Sequence, residues 1–163
     1  MSHSKEYFRN PPACRLGVLA ALRNQAGHLL LVKKIYQVRE GNPRPWGLVG
    51  GSVGETEKLR GAWKREVLAE TGLSLNPGRL LVTDEVPASG DNAKGINWLY
   101  DTPPLPDTTE ITLPRDELSE YAYVSRENLG EYLTEHGTRR ACAVLDALAQ
   151  GTVLELEYGY RAT

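Results

Sequence analysis

Apolar positions along the chain bunch into short runs, and the spacing within each run changes the element it predicts. "CRLGVLAALRN" and "HLLLVKKIY" are near-continuous apolar runs rich in Leu, Val and Ile. "NQAG" between them supplies turn residues, so the pair predicts a hairpin. "REGNPRP" (39–45) is a proline-broken loop, and "WGLVGG" reads as a short strand that enters a glycine turn. Over 57–71 the period lengthens. Leu59, Trp63 and Val67 recur at i and i+4, which predicts a helix with one apolar stripe, and Gly72 stands where a left-handed C-cap belongs. "RLLVTDEVPA" and "INWLYDT" follow as strands around a polar loop. Then come a proline-rich loop, "TPPLPDTTEITLP", and a further strand, "EYAYVS". "RENLGEYLTEHGTRRACAVLDALAQG" predicts one or two helices broken near Gly137, and "TVLELEYGY" alternates like a late edge strand or flap. Residues 1–12, ending in Pro11-Pro12, read as a loose arm. The pattern predicts an α/β fold, a mixed β-sheet with helices on both faces, in a single domain over 1–163.

Composition narrows the function. The chain has 163 residues, 40% of them hydrophobic and 25% charged, with a net charge of -2 and a pI near 6.0. Those values are ordinary for a globular domain with a real core. They argue against a nucleic-acid surface, because phosphate contacts need a basic face. No apolar run is long enough to cross a bilayer, and "MSHSKEYFRNPPACR" has no apolar h-region, so the expected location is the cytoplasm. The two cysteines, Cys14 and Cys142, form no CxxC pair. They give no zinc signature and are expected to be reduced, structural thiols. The three histidines, His3, His28 and His136, are scattered and are expected at the surface or in loops.

The candidate chemistry lies in "GGSVGETEKLRGAWKREVLAETGL", Gly50 to Leu73. A glycine turn entering a helix lets backbone groups approach a phosphate or a metal closely. No Gly-Lys-Ser/Thr step follows, so the stretch is not a P-loop. Glu66 and Glu70 share one helix face at i and i+4, where like charges repel unless a hard divalent cation sits between them. Mg²⁺ suits such oxygen ligands and bridges to a pyrophosphate. Arg39 and Arg44, ahead of "WGLVGG", could hold a substrate phosphate or simply be solvated. Tyr158 and Tyr160 could stack on a base or simply pack.

This stretch resembles the signature of the Nudix hydrolases, GX5EX7REUXEEXGU with U aliphatic. Here it reads Gly51, Glu57, Arg65-Glu66-Val67, Glu70 and Gly72-Leu73, matching at every specified position except Ala69, where the family usually has glutamate. The resemblance implies an α/β/α sandwich and a Mg²⁺-dependent pyrophosphohydrolase, with Mn²⁺ as a possible substitute. The substrate class would be a small molecule in which a nucleoside diphosphate is linked to another moiety. It further implies that the Gly50 carbonyl, Glu66 and Glu70 hold the metal and that Arg65 pairs with Glu57. An acid from a later loop would complete the site, Glu120 first and Glu117 second, and the general base would be Glu66 or Glu120. A nucleotide-binding or regulatory module of the same fold is the alternative, kept open by Ala69. A homodimer is possible, since the tail strand offers an edge for pairing.

Overall fold

The computed structural model describes residues 4–163. Its strands are β1 (Arg15–Ala21), β2 (Leu29–Lys34), β3 (Trp46–Ser52), β4 (Leu80–Val86), β5 (Gly95–Asp101), β6 (Leu118–Val124), β7 (Leu154–Glu157) and β8 (Tyr160–Arg161). They form one mixed sheet in the order β6-β2-β3-β1-β5-β4-β7-β8. β1 runs parallel to β5 and β4 parallel to β7, while the other neighbours are antiparallel. The helices are α1 (Lys5–Arg9), α2 (Ile35–Arg39), α3 (Leu59–Thr71), α4 (Leu129–Tyr132) and α5 (Glu135–Gln150).

The continuous apolar runs of β1 and β2 are explained by burial on both faces of the sheet. Val18, Ala20, Leu30 and Val32 point to one core, shared with Trp63 and Val67 of α3. Leu19, Ala21, Leu29 and Leu31 point to the other, shared with Ala141, Val144 and Ala147 of α5. Side chains alternate across a strand, so a strand covered on both sides must be apolar at every position. The result is the expected three-layer α/β/α arrangement.

Several local expectations change. Residues 5–9 of the predicted loose arm form a short helix, because the Ser4 side chain caps it by accepting from the Tyr7 N–H. None of its residues is buried. The first three residues of that arm lie outside the described part. "HLLLVKKIY" stops being a strand at Lys34, and Ile35 starts the single helical turns of α2. α3 begins at Leu59 rather than at residue 57, since Glu57 is held in the preceding loop. The last helical region breaks at Leu133–Thr134, not near Gly137. Thr134 caps α5 by accepting from the Gly137 N–H, so Gly137 lies inside the first turn. The tail is a hairpin: β7 pairs with β4, and β8 is the edge.

Candidate active site

The end of β3 and the adjoining face of α3 build the site. Gly50 has φ 146°, a conformation that favours glycine, and a Cβ there would lie 2.8 Å from the Leu19 Cα. At Gly51 a Cβ would meet the Glu66 carboxylate at 2.6 to 2.8 Å, so the carboxylate rests directly on the glycine backbone. α3 is fixed against the sheet by Trp63, which is fully buried and donates its indole N–H to the Leu19 carbonyl at 3.1 Å. Trp63 is therefore core, and it positions the helix. Gly72, with φ 75°, ends α3 in the left-handed conformation expected of it.

Arg65 ties the loop to the helix. Its Nε and Nη2 donate to the two Glu57 oxygens, each at 2.8 Å, Nη2 also donates to the Ser52 carbonyl at 2.9 Å, and Nη1 donates to Glu66 Oε1 at 2.7 Å. This fork–fork pairing, with the Gly54 N–H added, holds the Glu57 carboxyl down at about 2, and it raises the Arg65 guanidinium. Glu66 is left with one engaged oxygen and one that has no partner among the described residues.

Glu70 is buried and accepts from the Gly50 N–H at 2.9 Å. Burial pushes its pKa up to about 7, with the nearby Glu66 and Glu117 charges adding to the rise. The Gly50 N–H and Lys34 oppose it. A carboxylate held away from water beside other carboxylates is short of positive charge.

Glu66, Glu70, Gly50 and Gly51 line one hollow together with Lys34, Arg39, Asp116 and Glu117. Glu117, the second candidate, lines this hollow, and Glu120, the first, does not. Glu120 lies opposite Lys33 in the β2–β6 ladder and forms an ion pair with it at 2.7 Å, largely exposed. Glu117 precedes β6, where its backbone carbonyl accepts from the Ile35 N–H at 2.9 Å beside the start of α2, whereas Glu120 sits within the ladder. Arg39 joins the hollow. Arg44 does not: it sits in the exposed loop, its backbone N–H bonded to Asn42 Oδ1 at 2.9 Å. Tyr158 stacks on His136 with centroids 4.3 Å apart, and the Arg139 guanidinium lies 4.0 Å from the Tyr160 ring centroid; both rings keep an exposed face, and neither lines the hollow.

The donor set suits a hard divalent cation: two helix carboxylates and a backbone carbonyl at a glycine turn, with Glu117 lining the same hollow. Ala69 is exposed and contributes nothing to the hollow. Among the described residues no three His, Cys, Asp or Glu side chains converge as a finished ligand set. Backbone, water and substrate oxygens would therefore complete the coordination.

A NUDIX domain family model matches residues 14–145. The chain belongs to the Nudix family. Nudix hydrolases act on phosphoanhydride bonds. Solved structures agree. The MutT protein of Methanosarcina mazei Go1 is similar with 25% identity and a TM-score of 0.66, over 86% of this chain and 97% of that one. A MutT Nudix hydrolase from Burkholderia pseudomallei has 23% identity and a TM-score of 0.64, over 82% and 97%. An ADP-ribose pyrophosphatase from Streptococcus suis shares the fold at 17% identity, with a TM-score of 0.58 over 88% and 98%. No sequence match was found among curated proteins. No helix among the described residues is long and apolar enough to cross a membrane.

Sequence reasoning missed Lys34, Asn97, His136 and Arg140, which line the continuation of the cleft. His136 is not the surface histidine expected. It is mostly buried, with Nε2 2.7 Å from Asp84 Oδ2. Lys34 alone carried a signal, as a cation closing an apolar strand. Both cysteines are free, Cys14 exposed and Cys142 half-buried.

Proposed function

We propose that this Nudix protein is a Mg²⁺-dependent pyrophosphohydrolase that cleaves a nucleoside diphosphate linked to another moiety. The observation that carries the reading is the buried, cation-short Glu70 beside Glu66 over the Gly50–Gly51 turn. Glu66, Glu70 and the Gly50 carbonyl would hold the metal. Bound there, Mg²⁺ supplies charge neutralisation for the diphosphate oxygens and stabilises the departing phosphate. The chain's own residues do the rest. Arg65 keeps Glu66 oriented through the 2.7 Å bond to its Oε1. Glu57, gripped by the same guanidinium, prevents the loop from drifting off the helix. Glu117, which lines the hollow with Asp116 and whose carboxylate has no hydrogen-bond partner among the described residues, offers lone pairs to a water there. It takes the proton from the attacking water as the water adds to phosphorus. Lys34 and Arg39 offset negative charge on the substrate.

Ala69 favours a second reading, a module of the same fold that binds a nucleotide without turning it over. A panel of nucleoside triphosphates, ADP-ribose, NDP-sugars, dinucleoside polyphosphates, CoA and prenyl diphosphates, incubated with Mg²⁺ and analysed by mass spectrometry, separates the two. Turnover of one nucleotide class, lost in Glu70→Gln, is expected. Binding without turnover in either Mg²⁺ or Mn²⁺ would favour the module.

A further inference from the structure

The cleft changes sign along its length. Beyond Gly50, Gly51 and Lys34, which border the acidic hollow, it continues over the start of β1 and the middle of β5 to the first turn of α5. Arg15, Lys34 and Arg140 line this continuation, and among the described residues no Asp or Glu does. Arg140 is held from beneath by Asp84, which is fully buried, through a single Nη1–Oδ2 bond of 3.3 Å. Asp84 is shared further: its Oδ2 lies 2.7 Å from His136 Nε2, and its Oδ1 accepts from the Gly159 N–H at 2.9 Å. One carboxylate is thus divided among three donors. The buried Arg140 Nε has no partner among the described residues, and the side chain is 20% exposed. Next to it, the Asn97 amide lies over Gly17, where any Cβ would collide with its Oδ1. The first turn of α5, through Thr134 and Gly137, adds the positive end of a sixteen-residue helix to the same wall.

An ion pair with Asp84 explains why Arg140 tolerates burial. It does not explain the spare donors, nor why Arg15, whose Nε donates only to the Ala93 carbonyl, lines the same stretch of cleft where no Asp or Glu does. Guanidinium donors in a partly dry cleft are costly to leave without acceptors and are best satisfied by a carboxylate or phosphate. An apolar tail would leave them unmatched. We infer that this cationic end receives a second anionic group of the substrate, a phosphate or a carboxylate carried on the part that does not meet the acidic wall, and that Arg140 selects for it. Asp84 is then a positioning residue that fixes the guanidinium. The inference rests on the hydrolase reading above for the orientation of the substrate.

The test uses two matched pairs, each differing by one anionic group. UDP-glucose against UDP-glucuronate adds a carboxylate, and ADP-ribose against its 2′-phosphate adds a phosphate. Binding by calorimetry and kcat/KM with Mg²⁺ are both measured. The wild-type protein is expected to favour the more anionic member of at least one pair by about tenfold or more, as a charge-assisted contact supplies. The pair that responds identifies the group. Arg140→Gln, and Arg15→Gln at a more exposed position, should narrow the difference chiefly by weakening the anionic member. Turnover with no preference in either pair would overturn the inference and leave the hydrolase reading intact. Preference in binding without turnover would do the reverse. Failure to bind any of the four compounds would overturn the inference.

Discussion

Glu70 has little freedom, since it is buried and held by its bond from the Gly50 N–H. Glu66 is constrained from the other side by the bare Gly51 backbone. Gly51→Ala should therefore displace Glu66 and lower kcat/KM by about tenfold or more, as a small misplacement of a reacting group does, with little change in the melting temperature. A loss of stability without a loss of rate would show that the contact is only structural. Glu117→Gln should lower kcat by about 10² to 10⁴, the range for a general base, and leave KM nearly unchanged, while Glu120→Gln should leave both alone. Steady-state kinetics on the two variants decides between the acids. Glu66 and Glu70 were legible from their i, i+4 spacing, and the Glu57–Arg65 pair was implied by the family resemblance, because one loop and one helix carry all four. The choice of Glu117 over Glu120 was not, because the pairing of β6 with the distant β2 decides which acid enters the ladder and which lies beside α2.

At the scale of elements, α3 sets the precision of the site. Trp63 wedges it against β1, and removing the ring as Trp63→Ala should cost about 3–5 kcal/mol in chemical denaturation. Gly72→Ala forces a Cβ into the left-handed region, 3.2 Å from the Thr112 Cβ, and should cost about 1 kcal/mol in the same measurement. The stripe of α3 and its stop were readable because both are local. Its start was not, because Glu57 bonds to Arg65 and the Gly54 N–H instead of entering the helix. The break before α5 was misplaced for a similar reason. Gly137 looks like a helix breaker, yet the Thr134 hydroxyl captures its N–H and makes it part of the first turn.

Across the whole molecule the sheet gathers residues that the chain keeps far apart. The parallel pairing of β1 with β5 brings Gly17 beside Asn97, and the β4–β7 pairing sets the tail hairpin over Asp84. Strand order governs both, and local pattern carries no information about strand order. Asp84 also links the fold to pH. Burial pushes its pKa up, but His136, the Gly159 N–H and Arg140 outweigh burial and hold it below the usual carboxylate value. Its folded value is depressed, so its contribution to stability is fully present above the unfolded pKa of about 3.9 and is lost as pH falls through the folded value. Denaturation followed from pH 7 downward should show stability falling in that acid range, and Asp84→Asn should be less stable at pH 7 with a flatter acid limb. The central claim, that a divalent cation on the Glu66–Glu70 wall enables hydrolysis, is tested most directly by the initial rate on a turned-over diphosphate as Mg²⁺ is varied. The rate should saturate with Mg²⁺, vanish on chelation and be lost in Glu70→Gln. A rate indifferent to chelation, or equal in the variant, would contradict it.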